Sequence, residues 1–528
     1  MRDRKQTNKA GRARRDEREA VLLALLSRVR NDTFSNVLVK RTLDDCAEMS
    51  TAERAFIKRL LEGVIEREPE LDARITHYTK RPVARLHPAV LQILRMGIYQ
   101  ILYMDAVPDS AACNESVRLA KKHAPARLSG FVNGVLRNAA RDAEALRKKE
   151  KPDRAGDESV CPAGASGSGP EGKIDTGEVE EPAAGDLIAA LSIRYSMPAW
   201  LTAMWADQLG EETTVRLLEA LMEVRPVSVR TAPGLAVQER EQLILQLREA
   251  GAVVEKGMWL EDSLRLRRTS DLRKLPGFRQ GLWTVQDESS MLAVRAAGLT
   301  GTETVYDVCA APGGKSFYAA QLLAMTQASS ESLSDQPAGL NLSEDAGKAS
   351  GTDHSGPEYG GRVLSFDLTK RKTARIREGA VRLHLTNITV KERDARLDQP
   401  AERERADVLL CDLPCSGLGV IGKKRDIKYR ASREGILSLQ TLQRQILKSA
   451  VRYLKPGGVM IYSTCTISRE ENEDNAAWIE RELGLVPDAL EPYLPDGIPG
   501  LQGHMLQLLP HEHGTDGFFI SRFRRPPV

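Results

Sequence analysis

The stretch "TVYDVCAAPGGKS", residues 304–316, decides the fold of the C-terminal half of the chain. A β-prone run ends at Val308, and small residues follow it up to the pair Gly313 and Gly314. A strand, a small-residue turn and a helix start, in that order, are typical of a loop that wraps a ligand at the carboxyl end of a strand. Triphosphate-binding loops share this order. The stretch alone therefore leaves two ligands open, a nucleoside triphosphate and another adenosine-bearing molecule.

β-prone runs alternate with helical stretches from residue 286 onward. After the opening stretch these runs are "RVLSFD", "ITVKERDA", "ADVLLCDLP" and "GGVMIYSTC". Such alternation predicts a doubly wound, Rossmann-like α/β domain over residues 286–528, with a parallel sheet and helices on both faces. The polar, Gly/Ser-rich residues 328–361 predict a disordered surface insertion. The closing "TDGFFISRFRR" predicts a final strand, with Phe518 and Phe519 in the core.

The chain before residue 286 divides into three further segments. Residues 14–148 carry apolar positions at three- and four-residue spacing, as in "ERAFIKRLLEGVIE", which predicts an all-helical domain. Residues 149–185 are rich in Gly, Pro, Ser and acids, and this composition predicts a disordered linker. Residues 186–285 combine helical and short β-prone runs, which predicts a small α+β segment.

Composition narrows the class of protein. The chain has 528 residues with 76 basic and 73 acidic side chains, a net charge of only +3, so any nucleic-acid surface must come from local clustering. No apolar run reaches the length of about 18 residues needed to span a membrane. Seven cysteines are too sparse for a disulfide framework. We therefore expect a cytoplasmic protein with reduced thiols and no membrane segment.

The glycine turn departs from the triphosphate pattern. That pattern requires a glycine where this chain has Cys309, although Asp412, which ends "ADVLLCD", suits the metal-binding acid of such enzymes. The dinucleotide pattern Gly-x-Gly-x-x-Gly is absent as well. An adenosine moiety at the strand end would need an acid after the second strand for its ribose hydroxyls. Asp367 fits, at about 20 residues from the turn once the insertion is removed, although it could also simply cap a turn.

Two cysteines follow consecutive strands of the expected sheet. Cys415 comes after "ADVLLCDLP", and Cys465 ends "GGVMIYSTC". Consecutive strands of a doubly wound sheet are usually neighbours and carry ligands at their carboxyl ends, so both thiols should reach one crevice. Together with Cys411 they offer three sulfurs to a metal. However, no histidine or fourth cysteine lies nearby in sequence and Cys411 should point into the sheet, so we expect no metal.

Three motifs carry a family resemblance. "DVCAAPGGKS", "DLPCSG" and "STCT" resemble the signatures of the RNA cytosine-5 methyltransferase family, whose fold is the S-adenosylmethionine-dependent doubly wound sheet. Further toward the N-terminus, "VPDSAACNESVRLAKKHAPARLSGFVNGVLRNA" resembles the NusB-type helical RNA-binding domain. Together they imply a monomeric enzyme that methylates C5 of a cytosine in 16S ribosomal RNA, alone or in an early small-subunit assembly intermediate, using S-adenosylmethionine and no metal.

The resemblance also implies catalytic roles. C5 of cytosine is a poor nucleophile until a thiolate adds to C6. In this family the Thr-Cys thiol, here Cys465, attacks, and the Pro-Cys thiol, Cys415, assists product release; DNA methyltransferases attack with the Pro-Cys position, so the pattern alone leaves the order open. Asp412 would hydrogen-bond the base, with Lys315 as an electrostatic partner. Ser468 and Glu471 predict a capping box that opens the next helix near Cys465.

Cofactor and RNA contacts are implied residue by residue. The cofactor set is Cys309, Ala310, Ala311, Pro312, Gly313, Gly314, Lys315, Asp367, Asp394 and Asp412. Asp367 would bind the ribose, Asp394 would lie by the adenine unless it is an ordinary turn residue, and Asp412 would lie near the methionine end. Basic residues of "GKKRDIKYR" would hold phosphates beside a flipped base, unless this is merely a solvated loop: Lys423, Lys424, Arg425, Lys428 and Arg430.

The chain departs from the usual motifs at two positions. Leu413 stands where alanine is usual, and Arg425 stands where proline is frequent. A slightly altered base pocket could result. Two other functions stay open, an ATPase that uses the glycine turn and a non-catalytic RNA-binding assembly factor.

Overall fold

The computed structural model describes residues 16–31, 35–149, 186–269, 271–331 and 360–527. The predicted linker, apart from Lys149, and residues 332–359 of the predicted insertion lie outside the described residues. The helices are α1 (Glu17–Asn31), α2 (Ser35–Asp45), α3 (Thr51–Glu66), α4 (Glu68–Thr79), α5 (Pro88–Tyr103), α6 (Asp109–His123), α7 (Ser129–Lys149), α8 (Leu187–Arg194), α9 (Ala199–Leu209), α10 (Glu211–Met222), α11 (Val237–Glu249), α12 (Glu288–Arg295), α13 (Gly314–Glu331), α14 (Lys370–Arg382), α15 (Ile427–Arg430), α16 (Arg433–Ala450), α17 (Glu473–Leu483) and α18 (Pro510–His513). The strands are β1 (Val227–Thr231), β2 (Val253–Lys256), β3 (Ser263–Arg267), β4 (Trp283–Val285), β5 (Thr304–Asp307), β6 (Arg362–Asp367), β7 (Ile388–Glu392), β8 (Ala406–Asp412), β9 (Leu454–Thr464), β10 (Val486–Pro487), β11 (Met505–Leu508) and β12 (Phe518–Arg524).

The chain forms two units. The first comprises the residues up to Leu218 together with Lys423–Tyr429, and the second comprises Glu219–Gly422 and Arg430–Val528. The predicted α+β segment is therefore shared: its helices α8 and α9 belong to the first unit and its strands to the second.

The first unit is all-helical, as predicted. Helix α5 packs against α1, α3, α4, α6 and α7, and nearly every residue from Ala89 to Leu102 is buried. A helix that is buried on all sides lies at the centre of a bundle. Helix α3 begins with a capping box, in which the Ser50 hydroxyl accepts from the Glu53 N–H at 3.2 Å and the Glu53 carboxylate accepts from the Ser50 N–H at 2.8 Å.

An eight-stranded sheet dominates the second unit. Its strand order is β10-β12-β9-β8-β5-β6-β7, with β11 paired to β12. Strands β5 to β9 pair in parallel, whereas β12 lies antiparallel to β9. The chain runs from β5 to one side and returns on the other at β8, which makes the carboxyl ends of β5 and β8 the topological switch point. The predicted doubly wound sheet is confirmed.

Alternate strand residues face two separate cores. Val305 and Ile461 pack with Leu292 of α12, whereas Tyr306 and Met460 pack with helices α16 and α17. Both faces of the sheet are therefore covered, and this is why the strands are continuous apolar runs in the sequence. Phe518 and Phe519 fall in opposite cores, as expected, and Cys411 is fully buried within the sheet.

Strands β1 to β4 form a smaller antiparallel sheet of order β2-β3-β1-β4. Its core contains Val229, Leu264 and Trp283, and Leu243 and Leu247 of α11 pack onto it. Helix α13 continues to Glu331, so the first four residues of the predicted insertion are helical instead. Within the described ranges, no helix is both long and apolar enough to cross a membrane.

Candidate active site

The loop that follows β5 is pinned to both neighbouring strands. The Val308 N–H donates to the Leu410 carbonyl of β8 at 3.1 Å, and the Ala310 N–H donates to the Phe366 carbonyl of β6 at 2.9 Å. These bonds hold the predicted ligand loop at the switch point of the sheet. Gly313 has a φ of +111°, and a Cβ there would lie 2.3 Å from the Phe317 ring. Only glycine therefore fits this turn.

Asp367 lies at the end of β6, directly beside this loop. One carboxylate oxygen accepts from the Ala311 N–H at 2.9 Å, and the other accepts from the Leu368 N–H at 2.7 Å and from the Lys372 ammonium at 2.9 Å. The side chain is buried. Strand β6 thus places a fixed carboxylate beside the loop that is predicted from the sequence to bind an adenosine.

Asp307 is a second buried acid of this site, and the sequence analysis missed it. One of its oxygens accepts from the Ser316 hydroxyl at 2.6 Å, and Ser365 extends the chain of hydroxyls at 2.8 Å. The other oxygen has no hydrogen-bond partner within the described residues. Burial raises the pKa of Asp307 to about 7. A lone acid inside the apolar run "TVYDV" was the available signal.

Lys315 and Asp412 form an ion pair in the crevice. The Lys315 ammonium lies 2.7 Å from one Asp412 oxygen and 4.9 Å from the centre of the Phe518 ring. The other Asp412 oxygen accepts from the Ser463 hydroxyl at 3.3 Å. Lys315 is buried and Asp412 is half-buried, so the carboxylate is oriented while part of it stays open to the crevice.

The structure brings the thiols of Cys415 and Cys465 together. Their sulfur atoms lie 3.3 Å apart, beyond the carboxyl ends of the parallel neighbours β8 and β9. The hydrogen bond with Cys465, followed by burial, raises the pKa of Cys415 well above its usual value. Cys415 is therefore a protonated thiol at neutral pH. Burial likewise raises the pKa of Cys309 and of Cys411.

The remaining predicted cofactor residue, Asp394, lies after β7. Its carboxylate binds the Arg396 guanidinium, with an Nη–O distance of 2.6 Å, and this bond lowers its pKa. The preceding Arg393 N–H donates to the Asp367 carbonyl at 2.9 Å, so the turn lies beside the residue expected to bind the ribose. A contact with adenine stays a prediction. In the part of the chain that the structure describes, no cluster of three or more His, Cys, Asp or Glu side chains could hold a metal ion.

The basic segment after Cys415 is not an open loop. Lys428 is buried and its ammonium donates to the Glu66 carbonyl at 2.9 Å, while Arg425 forms an ion pair with the Glu66 carboxylate. Asp426 accepts from the Ser35 hydroxyl at 2.6 Å. The burial of Lys428 against Glu66 corrects the expectation that it binds phosphate, whereas Arg425 pairs with Glu66 but stays partly exposed. Phosphate contacts stay a prediction for four residues: Lys423, Lys424, Arg425 and Arg430.

The predicted capping box after Cys465 is wrong. Helix α17 begins at Glu473, and the side chain of Ser468 binds Glu470. The Glu471 carboxylate accepts instead from the N–H of Ser416, at 3.0 Å. The acid was visible in "STCTISREEN", but its partner lies on another strand connection, which local spacing cannot reveal.

Family models match both the N-terminal and the C-terminal part of the chain. The model of the 16S rRNA methyltransferase RsmB/F family matches residues 357–524, and the NusB family model matches residues 15–141. The crystal structure of PH0851 has a TM-score of 0.66 at 21% identity, covering 96% of this chain and 98% of that one, which is a likeness of fold.

Two curated relatives extend over nearly the whole chain. The probable ribosomal RNA small subunit methyltransferase B of Bacillus subtilis is 32% identical over 512 residues, covering 96% of this chain and 98% of the relative. The protein of the same name from Synechocystis sp. is 31% identical over 517 residues, covering 96% and 99%. The resemblance expected from the motifs is confirmed, and the chain belongs to the ribosomal RNA small subunit methyltransferase B family.

Proposed function

We propose that this protein transfers a methyl group from S-adenosylmethionine to C5 of a cytosine in 16S ribosomal RNA, through a covalent bond between Cys465 and C6 of the base. The observation that carries the proposal is the pair of thiols 3.3 Å apart in the crevice that also contains Asp412. A single nucleophilic thiol would suffice for attack, and a second beside it suits a reaction in which the first must leave again.

The charges around the glycine turn suit S-adenosylmethionine. When bound, this cofactor supplies an electrophilic methyl group on a sulfonium. Burial raises the pKa of Asp307, and the nearby carboxylates of Asp412 and Asp367 raise it further. The Lys315 ammonium acts in the opposite direction. A triphosphate would instead bring negative charge to three carboxylates, which disfavours the ATPase hypothesis.

Different residues of this chain then act in different steps of the reaction. The Cys465 thiolate adds to C6, which turns C5 into an enamine-like nucleophile for the methyl group. Asp412, held by Lys315, accepts a hydrogen bond from the amino group of the base, or from N3 once N3 is protonated, and the Lys315 ammonium opposes the negative charge created by attack. After methyl transfer a base such as solvent water takes the C5 proton. The electron pair of the C5–H bond then re-forms the C5–C6 double bond as the C6–sulfur bond breaks and Cys465 leaves as a thiolate. The protonated Cys415 thiol can then donate a hydrogen bond to the departing Cys465 sulfur.

The proposed setting follows from the relatives. Their names specify small-subunit ribosomal RNA, and the NusB-like unit suits RNA binding. We propose 16S ribosomal RNA or an early assembly intermediate as the partner, in the cytoplasm, with the protein acting as a monomer.

Methyl-transfer assays combined with bisulfite mapping test this function. Small-subunit RNA from a strain that lacks the gene would be incubated with the purified protein and S-adenosylmethionine. We expect a cytosine that becomes resistant to bisulfite conversion only when both are present. Binding of the RNA without any new resistant cytosine would contradict the proposal and favour an assembly factor, and ATP hydrolysis without methyl transfer would favour an NTPase.

Cofactor affinity should depend strongly on Asp367. Replacing Asp367 with alanine removes the acceptor proposed for the ribose hydroxyls, and hydrogen bonds to charged groups are each worth about 1.5–3 kcal/mol. We expect S-adenosylmethionine to bind about 10- to 100-fold more weakly in isothermal titration calorimetry. Asp271→Ala is the matched control, because it removes a carboxylate that pairs with Arg273 between β3 and β4, outside the proposed cofactor set. Equal losses in both variants would contradict the assignment of the ribose to Asp367.

A further inference from the structure

Two consecutive buried residues link the thiol-bearing segments. Glu471 and Asn472 lie between β9 and α17, and both are fully buried. A carboxylate and an amide in the interior require hydrogen-bond partners, because an unsatisfied polar group there costs about 1–3 kcal/mol. Their hydrogen bonds reach the residues that flank Cys415 and Cys465 in the sequence.

Glu471 fixes the segment that carries Cys415. One carboxylate oxygen accepts from the Ser416 N–H at 3.0 Å, and the other accepts from the Ser416 hydroxyl. The first oxygen also accepts from the Gln443 amide at 3.0 Å, and the same amide donates to the Pro414 carbonyl at 2.8 Å. The residues before and after Cys415 are thus both tied to one carboxylate, directly or through Gln443.

Asn472 does the same for Cys465. Its side-chain oxygen accepts from the Thr464 hydroxyl at 2.6 Å, and its amide donates to the Thr466 carbonyl at 3.1 Å. The amide also donates to Gln507 of β11 at 2.8 Å, which anchors it to the sheet. The residues that flank Cys465 are therefore held by one side chain.

The two segments also bind each other. The hydroxyls of Ser416 and Thr466 lie 2.6 Å apart, and the Gly419 N–H donates to the Cys465 carbonyl at 3.1 Å. Both oxygens of the Glu471 carboxylate accept hydrogen bonds, one of them two and the other one. A shift of either segment would therefore break several bonds at once.

We propose that Glu471 and Asn472 are positioning residues that hold the sulfur atoms of Cys415 and Cys465 in contact. Glu471 fixes Cys415 and Asn472 fixes Cys465, and neither touches the substrate. The consequence for catalysis rests on the proposed function: with the thiols apart, Cys415 can no longer assist the departure of Cys465. The consequence for thiol geometry does not depend on it.

Phenylarsine oxide measures that geometry directly. It condenses with two adjacent thiols to form two As–S bonds with release of one water, and it binds a single thiol weakly. We expect the full-length protein to take up one tightly held equivalent and Cys415→Ala to lose it. Glu471→Ala should bind the arsenical at least about tenfold more weakly. The second sulfur is then no longer held beside the first, so its effective concentration falls. Glu471→Gln keeps an oxygen for the Ser416 N–H and should restore most of the affinity.

The matched control is Glu482→Ala, which removes an exposed carboxylate from α17, the helix that follows Glu471, and should bind as the wild type does. Thermal unfolding would establish that each variant is folded. In methyl-transfer kinetics we expect Glu471→Ala to lower kcat about 100-fold, with the KM for S-adenosylmethionine within about twofold of wild type. A folded Glu471→Ala protein that binds the arsenical as tightly as wild type would overturn the positioning role. Weakened arsenical binding in a protein whose wild type transfers no methyl group would instead overturn the proposed function alone.

Discussion

Replacing Cys465 with alanine is expected to abolish methyl transfer, lowering kcat by on the order of 10⁴-fold or more. Without a thiolate on C6, C5 of the cytosine stays a poor nucleophile. In the proposed mechanism Cys465 attacks and Cys415 assists release, so the Cys415 thiol should not replace the missing sulfur. The glycine turn is untouched, so the affinity for S-adenosylmethionine should stay within about twofold of wild type. Single-turnover transfer of a labelled methyl group and titration calorimetry measure the two quantities.

Cys113→Ala provides the matched control for this substitution. Cys113 is a buried thiol of the first unit, in the helical core, so its removal makes the same chemical change away from the crevice. The control should retain methyl transfer. Activity of Cys465→Ala within about tenfold of wild type would be incompatible with a covalent Cys465 intermediate.

Replacing Cys415 with alanine is expected to stop turnover while a covalent protein–RNA complex accumulates. Attack by Cys465 and methyl transfer need only one sulfur, but release then proceeds without the proton donor that lies 3.3 Å away. Loss of a positioned acid typically costs 10²- to 10⁴-fold, so we expect turnover to fall by about that factor. Denaturing gel electrophoresis with labelled RNA would show the complex as a slowly migrating band.

The double variant Cys415→Ala/Cys465→Ala should show no such band. A covalent complex that accumulates with Cys465→Ala, and is absent with Cys415→Ala, would reverse the roles of the two thiols. That outcome would leave the reaction class intact, since the sequence pattern alone does not fix the order of attack.

The convergence of the two thiols was predictable because it follows from topology. Strands that end in Asp412 and Thr464 are parallel neighbours, so whatever follows them meets at one edge of the sheet. The ligand loop was predictable for a similar reason, since Gly313 marks a turn that no larger side chain permits. Local periodicity and strand order carry this information, and both are readable from a single sequence.

Partner choice over long sequence separations was not predictable. Lys428 looks like a phosphate ligand in sequence, yet its ammonium binds the Glu66 carbonyl, which comes from a helix near the other end of the chain. Glu471 has the spacing of a helix cap from Ser468, yet its carboxylate binds Ser416. In both cases a buried polar group takes the partner that tertiary packing supplies, and no local pattern encodes that partner.

The most direct test of the covalent mechanism is peptide mapping after reaction with RNA that contains 5-fluorocytosine. Fluorine at C5 blocks the proton loss that precedes release, so the methylated adduct should stay attached to the protein. Digestion and mass spectrometry would then locate the modified peptide. We predict a nucleotide bound to the peptide that carries Cys465, formed only in the presence of S-adenosylmethionine. A nucleotide on the peptide that carries Cys415, or methyl transfer to ordinary RNA with no adduct from the fluorinated RNA, would contradict the account.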